Sequence, residues 1–353
     1  MSKQTANDLP IERLNGYLGE RIENFGTLVR AEKFSEGQSN PTYLLVTDQQ
    51  RYVLRKKPDG PVLPSAHAVD REFRVMSALS ATPVPVPAMH LLCEDESVIG
   101  TCFYVMDFVE GQIHVDAQLR DVTPANRRSA MYEQMNQVLA ALHSVDTEAV
   151  GLTDYGRPGN YFERQLNRWT KQYRASETEH IEAMEQLMAW LPEQMPADDG
   201  RVSLIHGDFR LDNMMFADDQ NGQPQVVALL DWELSTLGHP FSDLAYQCMQ
   251  WRAPADPALG NLSGLHGIDR AALGIPTEEE YIARYCQRMG LSEIPNWPFY
   301  LAFSFFRFVA ILQGIMKRYQ EGNASSTQAL TYGQLARPMA ELAIDYLHGE
   351  QQL

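Results

Sequence analysis

The sequence predicts an α+β fold, with strands gathered in residues 1–108 and helices dominating 109–353. Three observations carry this. Segments 28–34, 42–47 and 51–56 are short, strand-like runs separated by turns, which reads as an antiparallel arrangement. From Pro124 onward the apolar spacing becomes helical, as in Met131, Met135, Val138, Leu139 and Leu142. Two apolar strands, 202–205 and 226–230, interrupt those helices, and each leads into an acid, Asp208 or Asp231.

In chain order, 9–24 is a helix-like lead through Leu14, Leu18 and Ile22. The first and second strands flank a turn at 35–40 that contains Gly37, Ser39 and Asn40, where a tight bend could present N–H groups to an anion. Asp48–Gln50 is a tight turn into the third strand, which puts Val53, Arg55 and Lys57 on one face and Tyr52, Leu54 and Lys56 on the other. A proline-broken loop follows. A helix through Ala68, Phe73, Met76 and Leu79 then ends before the prolines at 83, 85 and 87. Strands at 88–93 and 100–108 complete a set of five.

In the second part, 161–173 is a helix carrying Arg164, Arg168 and Lys171 on one face. That stripe fits either an anionic acceptor or a solvated face balancing nearby acids. Segment 178–190 is an acidic helix and 192–200 a loop. Gly222 allows a hairpin between the two late strands. The apolar run 298–315 contains Ser304, Arg307 and Gln313, which favours a buried core helix over a membrane span.

Composition bounds the function. Apolar residues make up 44% and charged residues 21%, the profile of a soluble globular protein. The formal net charge of −17 argues against a nucleic-acid partner, which would need a clustered basic face. Four scattered cysteines without a C-x-x-C pair, and a polar N-terminus, point to a reduced, cytoplasmic setting. Oligomeric state leaves no mark in the sequence.

The chemistry-bearing stretch is His206-Gly207-Asp208-x4-Asn213, followed by Leu230-Asp231-Trp232-Glu233 and Gly238-His239-Pro240-x2-Asp243-Leu244-Ala245. Phosphoryl transfer to a hydroxyl needs one carboxylate to orient and deprotonate the acceptor. It also needs an amide oxygen and a second carboxylate for Mg²⁺. Asp208, Asn213 and Asp231 have the spacing of the corresponding protein-kinase residues. In these motifs the sequence resembles the aminoglycoside phosphotransferase family, a branch of the protein-kinase-like fold acting on small molecules. The resemblance implies a bilobal molecule: a small N-lobe with a five-stranded antiparallel sheet plus a helix, and a larger, mainly helical C-lobe.

The resemblance also implies roles. Asp208 is the catalytic base, and Asn213 and Asp231 are the metal ligands. ATP and Mg²⁺ are the cofactors. Ser39 and Asn40 belong to the phosphate-covering turn, which lacks a full G-x-G-x-x-G. Arg55, where most relatives have Lys, is the phosphate-binding cation, with Lys56 as the alternative. Glu72 pairs with that cation. Met106 lies behind the adenine, whose edge meets backbone groups of Asp107 and Val109. Asp243 braces the catalytic loop.

The phrase at 161–173 resembles the kinase domain found N-terminal to an acyl-CoA dehydrogenase in some multidomain proteins, a subgroup associated with hydroxyacyl-CoA thioesters. This implies a small hydroxyl acceptor, with an anionic acyl-CoA preferred over an aminoglycoside, choline or homoserine. Two other readings compete: a non-catalytic nucleotide-binding switch, and a metal hydrolase built from His206, Asp208, Asp212 and His239.

Overall fold

A computed structural model describes residues 9–34, 40–58, 68–323 and 328–349. The chain forms two compact units, Met1–Gly111 with Val227–Glu233, and Gln112–Val226 with Leu234–Leu353.

The first unit opens with α1 (Ile11–Gly19), followed by β1 (Leu28–Lys33), β2 (Thr42–Thr47) and β3 (Arg51–Lys56). Helix α2 (Val69–Leu79), β4 (Met89–Cys93), the short α3 (Glu96–Ile99) and β5 (Phe103–Asp107) complete it. The five strands form one antiparallel sheet in the order β1-β2-β3-β5-β4. Leu14 and Leu18 of α1 pack with Leu45, Tyr52, Leu54, Phe103 and Val105 of the sheet in one buried cluster. Removing side chains of this size from water is the main term holding such a sheet to its helix.

The fifth strand is shorter than the 100–108 run suggested. Asp95 caps α3 by accepting from the Ser97 N–H at 2.9 Å, and Gly100 closes it at φ 92°. This one-turn helix occupies the approach to the strand.

The second unit comprises β6 (Gln112–Ile113), α4 (Ala125–His143), α5 (Tyr161–Ser176), α6 (Glu182–Glu193), β7 (Ser203–Ile205), β8 (Met214–Asp218), the first half of β9 (Pro224–Leu229), whose remainder is counted with the first unit, and β10 (Thr236–Gly238). Helices α7 (Phe241–Arg252), α8 (Arg270–Leu273), α9 (Glu278–Met289), α10 (Trp297–Gln320), α11 (Ala329–Gln334) and α12 (Ala336–Leu347) follow. Its strands are short and serve the loops between them: β7 pairs with β10, and the sheet order β6-β8-β9 holds the turn at 219–223. Helix α6 continues through Pro192, which sits in the last turn rather than opening the following loop. A proline so near the helix end removes little of the hydrogen-bond ladder. The apolar run is α10, which is long and apolar enough to cross a membrane by composition. It packs against α5, α6, α7, α11 and α12, and Phe299, Phe303, Phe306 and Leu312 are buried there.

Candidate active site

In the first unit β3 carries Arg55 one residue before its end, and the side chain gathers three acids. Its Nε lies 2.9 Å from Glu72 Oε2, away from the N–H direction, so the contact is an ion pair rather than a hydrogen bond. Its Nη2 donates to Asp231 Oδ1 at 2.9 Å and lies 3.8 Å from Glu233. Glu72, almost fully buried on α2, also accepts from Asn40 Nδ2 at 2.8 Å and from the Tyr104 hydroxyl at 3.0 Å. The cation meeting Glu72 is therefore Arg55. Lys56 is buried and follows on the next strand position.

Burial works against the Arg55 charge, but Glu72, with Tyr104, Asp231 and Glu233 behind it, holds its pKa above the ordinary value. Burial also pushes the Glu72 carboxyl up, against the opposing pull of Arg55. The Asp231 backbone is left-handed at φ 63°, a conformation Asp tolerates better than most residues. Such local strain often accompanies a functional position.

Met106 is buried near the end of β5, and Asp107 closes the strand. The Asp107 N–H donates to Ala88 O at 2.9 Å, and its carboxylate meets His90 Nε2 at 2.6 Å. The Val109 N–H has no acceptor among the described residues, so it is the free backbone donor of this pair. Ser39, and most of the turn around it, lies outside the described residues.

In the second unit β7 delivers the loop that carries Asp208. His206 is fully buried, and Gly207 turns the chain at φ 83°. A Cβ at Gly207 would fall 2.5 Å from the Leu234 carbonyl oxygen, so both the turn and the space require glycine. Asp243 on α7 accepts from the N–H groups of His206 at 2.6 Å and Gly207 at 2.9 Å. Arg307, from α10, donates to the Gly207 carbonyl. The loop is thus clamped from two helices.

Asn213 donates Nδ2 to the Asp208 carbonyl at 2.8 Å and to its Oδ2 at 3.1 Å. With the nitrogen spent this way, the amide oxygen is the atom left for a cation. An amide oxygen and a carboxylate are hard donors of the kind Mg²⁺ takes, so Asn213 and Asp231 fit that ion in kind. Asp208 also faces Tyr246, whose hydroxyl pKa is pushed up first by burial and then by the Asp208 charge.

Arg307 and Tyr246 carry no local signal in sequence. Each acts through a helix that is read as core, and only the fold shows that it turns toward the loop. The basic stripe of α5 is engaged at one of its three residues. Arg164 donates to the Arg157 carbonyl at 2.6 Å, while Arg168 and Lys171 are exposed.

The hydrolase reading fails on geometry. Asp212 is held by Arg210 Nε at 2.9 Å and Asn261 Nδ2 at 2.8 Å, and His239 lies 3.3 Å from Asp199. Burial lowers the pKa of His239. Among the described residues the clustered metal-type side chains are Glu177, His180 and Glu185 at the surface, where Arg174 already pairs with both glutamates.

The clamp has a pH signature. Burial alone would raise the Asp243 pKa, but His143, His206 and the backbone bond from His206 hold it below 3.8. A carboxyl depressed on folding adds stability above its unfolded value, and that stability is lost as pH falls through the lower folded value. The expected result is a urea midpoint that drops below about pH 4 and a flatter profile in Asp243→Asn. Equal slopes in the two proteins would remove Asp243 from the acid response.

Comparison with known proteins follows the same lines. A model of the phosphotransferase enzyme family matches residues 30–283. Acyl-CoA dehydrogenase family member 10 of Mus musculus is 51% identical over 96% of this chain. The chain spans 31% of that relative's length. A crystal structure from Ralstonia eutropha, assigned as an aminoglycoside phosphotransferase, is 51% identical. It superposes with a TM-score of 0.85, covering 97% of this chain and 99% of that one. A thermostable mutant of aminoglycoside phosphotransferase APH(4)-Ia, in ternary complex with ADP and hygromycin B, shares the fold. Its TM-score is 0.59 at 15% identity, covering 94% and 97% of the two chains.

Proposed function

The chain belongs to the phosphotransferase enzyme family, and on that premise we propose that it is a Mg²⁺–ATP-dependent kinase for the hydroxyl of a small molecule. The observation that carries this reading is the Asp208–Asn213 pair. One side chain's amide nitrogen fixes both the backbone and the carboxylate of the other, at 2.8 and 3.1 Å. A carboxylate held so is oriented before any acceptor arrives, and preorganisation is where positioned catalysis draws its advantage.

In the proposed mechanism Asp208 accepts a hydrogen bond from the acceptor hydroxyl and takes its proton as the oxygen attacks the γ-phosphorus; the bond from that phosphorus to the β–γ bridging oxygen breaks, and ADP leaves. Arg55, paired with Glu72, which Asn40 and Tyr104 hold in turn, would direct its guanidinium to the phosphates. Asn213 and Asp231 supply oxygen ligands for Mg²⁺, which when bound offsets charge on the phosphate oxygens. Backbone groups of Asp107 and Val109 would meet the adenine edge, with the Val109 N–H as donor, and Met106 would lie behind the base. The ADP in the complex of the structural neighbour supports a nucleotide as phosphoryl donor.

For the acceptor we favour a hydroxyacyl-CoA. Support comes from the relative named as an acyl-CoA dehydrogenase family member, of which this chain corresponds to less than a third. The test is incubation with Mg–ATP and a panel of hydroxyacyl-CoAs, aminoglycosides, choline, homoserine and sugars, followed by mass spectrometry for one added phosphoryl group. Labelling confined to a hydroxyacyl-CoA is expected. Labelling of an aminoglycoside instead would replace the acceptor, and no product with any compound would favour a non-catalytic nucleotide-binding role.

A further inference from the structure

Beside the catalytic loop the second unit lines a partly open cavity of about 70 Å³. It begins at Tyr246, the residue facing Asp208, and runs between α7 and the segment 261–263. Three polar side chains on its wall have unmet hydrogen-bonding capacity. Gln247, 2% exposed, leaves both its amide nitrogen and its oxygen without a partner. Ser263, 3% exposed, leaves its hydroxyl so, and Gln250 leaves its amide nitrogen. Leaving buried polar atoms unpaired is costly, so a cluster of them on one wall calls for a partner.

The charged groups on the wall are already neutralised. Arg210 forks onto Asp212, with Nε at 2.9 Å and Nη2 at 2.5 Å, and Asn261 adds a bond to the same carboxylate. Burial pushes the Asp212 carboxyl up, but Arg210 and Asn261 together bring it below the ordinary value. The remaining surface is apolar, with Leu211, Met249, Phe305 and Met339 among its residues. A cation entering here would find no free carboxylate, and an anion would find a guanidinium already paired. Burying either charge unpaired is strongly unfavourable.

We propose that this cavity recognises the acceptor, and that it takes an uncharged group of about three or four heavy atoms bearing a carbonyl or carboxamide. The size follows from comparison with engineered cavities, in which about 150 Å³ holds one benzene ring. The carbonyl of such a group would accept from the Gln247 or Gln250 amide or the Ser263 hydroxyl. An amide N–H would satisfy the Gln247 oxygen. The inference rests on the kinase reading only for calling the bound molecule the acceptor. The pocket itself is tested without turnover.

The experiment labels the methionine methyl groups with ¹³C in the full chain and titrates in acetamide, acetate or ethylammonium. Met249 and Met339 line the cavity and serve as local reporters. Acetamide is expected to shift these two signals saturably, while acetate, its anionic isostere, and the small cation ethylammonium leave them unmoved. In Gln247→Leu, whose spectrum reports whether it is folded, the acetamide affinity should fall about tenfold. Should Gln247→Leu not fold, Ser263→Ala provides the same comparison. Equal response to the charged compounds, or acetamide shifts unchanged in the folded variant, would overturn the proposal. Acetamide binding in a protein that phosphorylates nothing would keep the pocket and remove the kinase reading. Phosphotransfer without acetamide binding would do the reverse.

Discussion

Asp208→Asn should lower kcat by about a thousandfold, within the range attributed to a positioned general base. At 25 °C that is about 4 kcal/mol of transition-state stabilisation. The substitution keeps the size of the side chain and an oxygen for Asn213 Nδ2, which lies 3.1 Å from the carboxylate it replaces. The loop should hold, because its clamps from Asp243 and Arg307 reach residues 206 and 207 rather than Asp208 itself. ATP affinity, read by calorimetry, should stay within about threefold, because the loss is confined to proton transfer. A variant with wild-type turnover would take Asp208 out of the mechanism. One that also lost ATP binding would make its role structural.

Arg55→Ala carries the second large effect, and it appears first in stability. Removing the guanidinium leaves Glu72 almost fully buried beside Tyr104 and Asn40 with no counter-charge. Breaking a buried pair from one side typically costs about 3–5 kcal/mol. The Arg55 side chain is 15% exposed, which places the expectation near the lower end, at about 3 kcal/mol. Because Glu72 then has less reason to ionise, the loss should be smaller in Arg55→Ala/Glu72→Gln than in the single variant. Urea denaturation checks this directly, and an additive double variant would mean that the pair is not coupled. Nucleotide affinity should fall in both, whereas Lys56→Ala should spare it.

Much of this was legible in the chain. The edges of β2 and β3 follow from their strand-like composition and from the short Asp48–Gln50 turn, where little else competes. The spacing from Asp208 to Asn213 is legible because both lie on one loop, where separation along the chain fixes separation in space. What escaped has a common cause. Arg307 is 100 residues from the carbonyl it meets, and its helix is so apolar that the sequence offers only a core residue. Gln247 and Ser263 are ordinary polar residues until the fold buries them without partners. The edges of α3 and α6 depend on single capping contacts and on one tolerated proline, which compositional patterns blur.

The first unit is discontinuous in sequence, taking its last seven residues, Val227–Glu233, from beyond residue 226. Among them are Asp231, which pairs with Arg55, and Leu229, whose N–H donates to the Pro85 carbonyl at 2.8 Å. During vectorial synthesis on the ribosome, this sheet-bearing unit cannot acquire its full complement of contacts until Glu233 has emerged, more than a hundred residues after the last strand of its sheet. A gene fragment ending at Gly111 would encode every strand of the sheet and keep Glu72, yet lack Asp231 and Glu233, two of the three acids around Arg55.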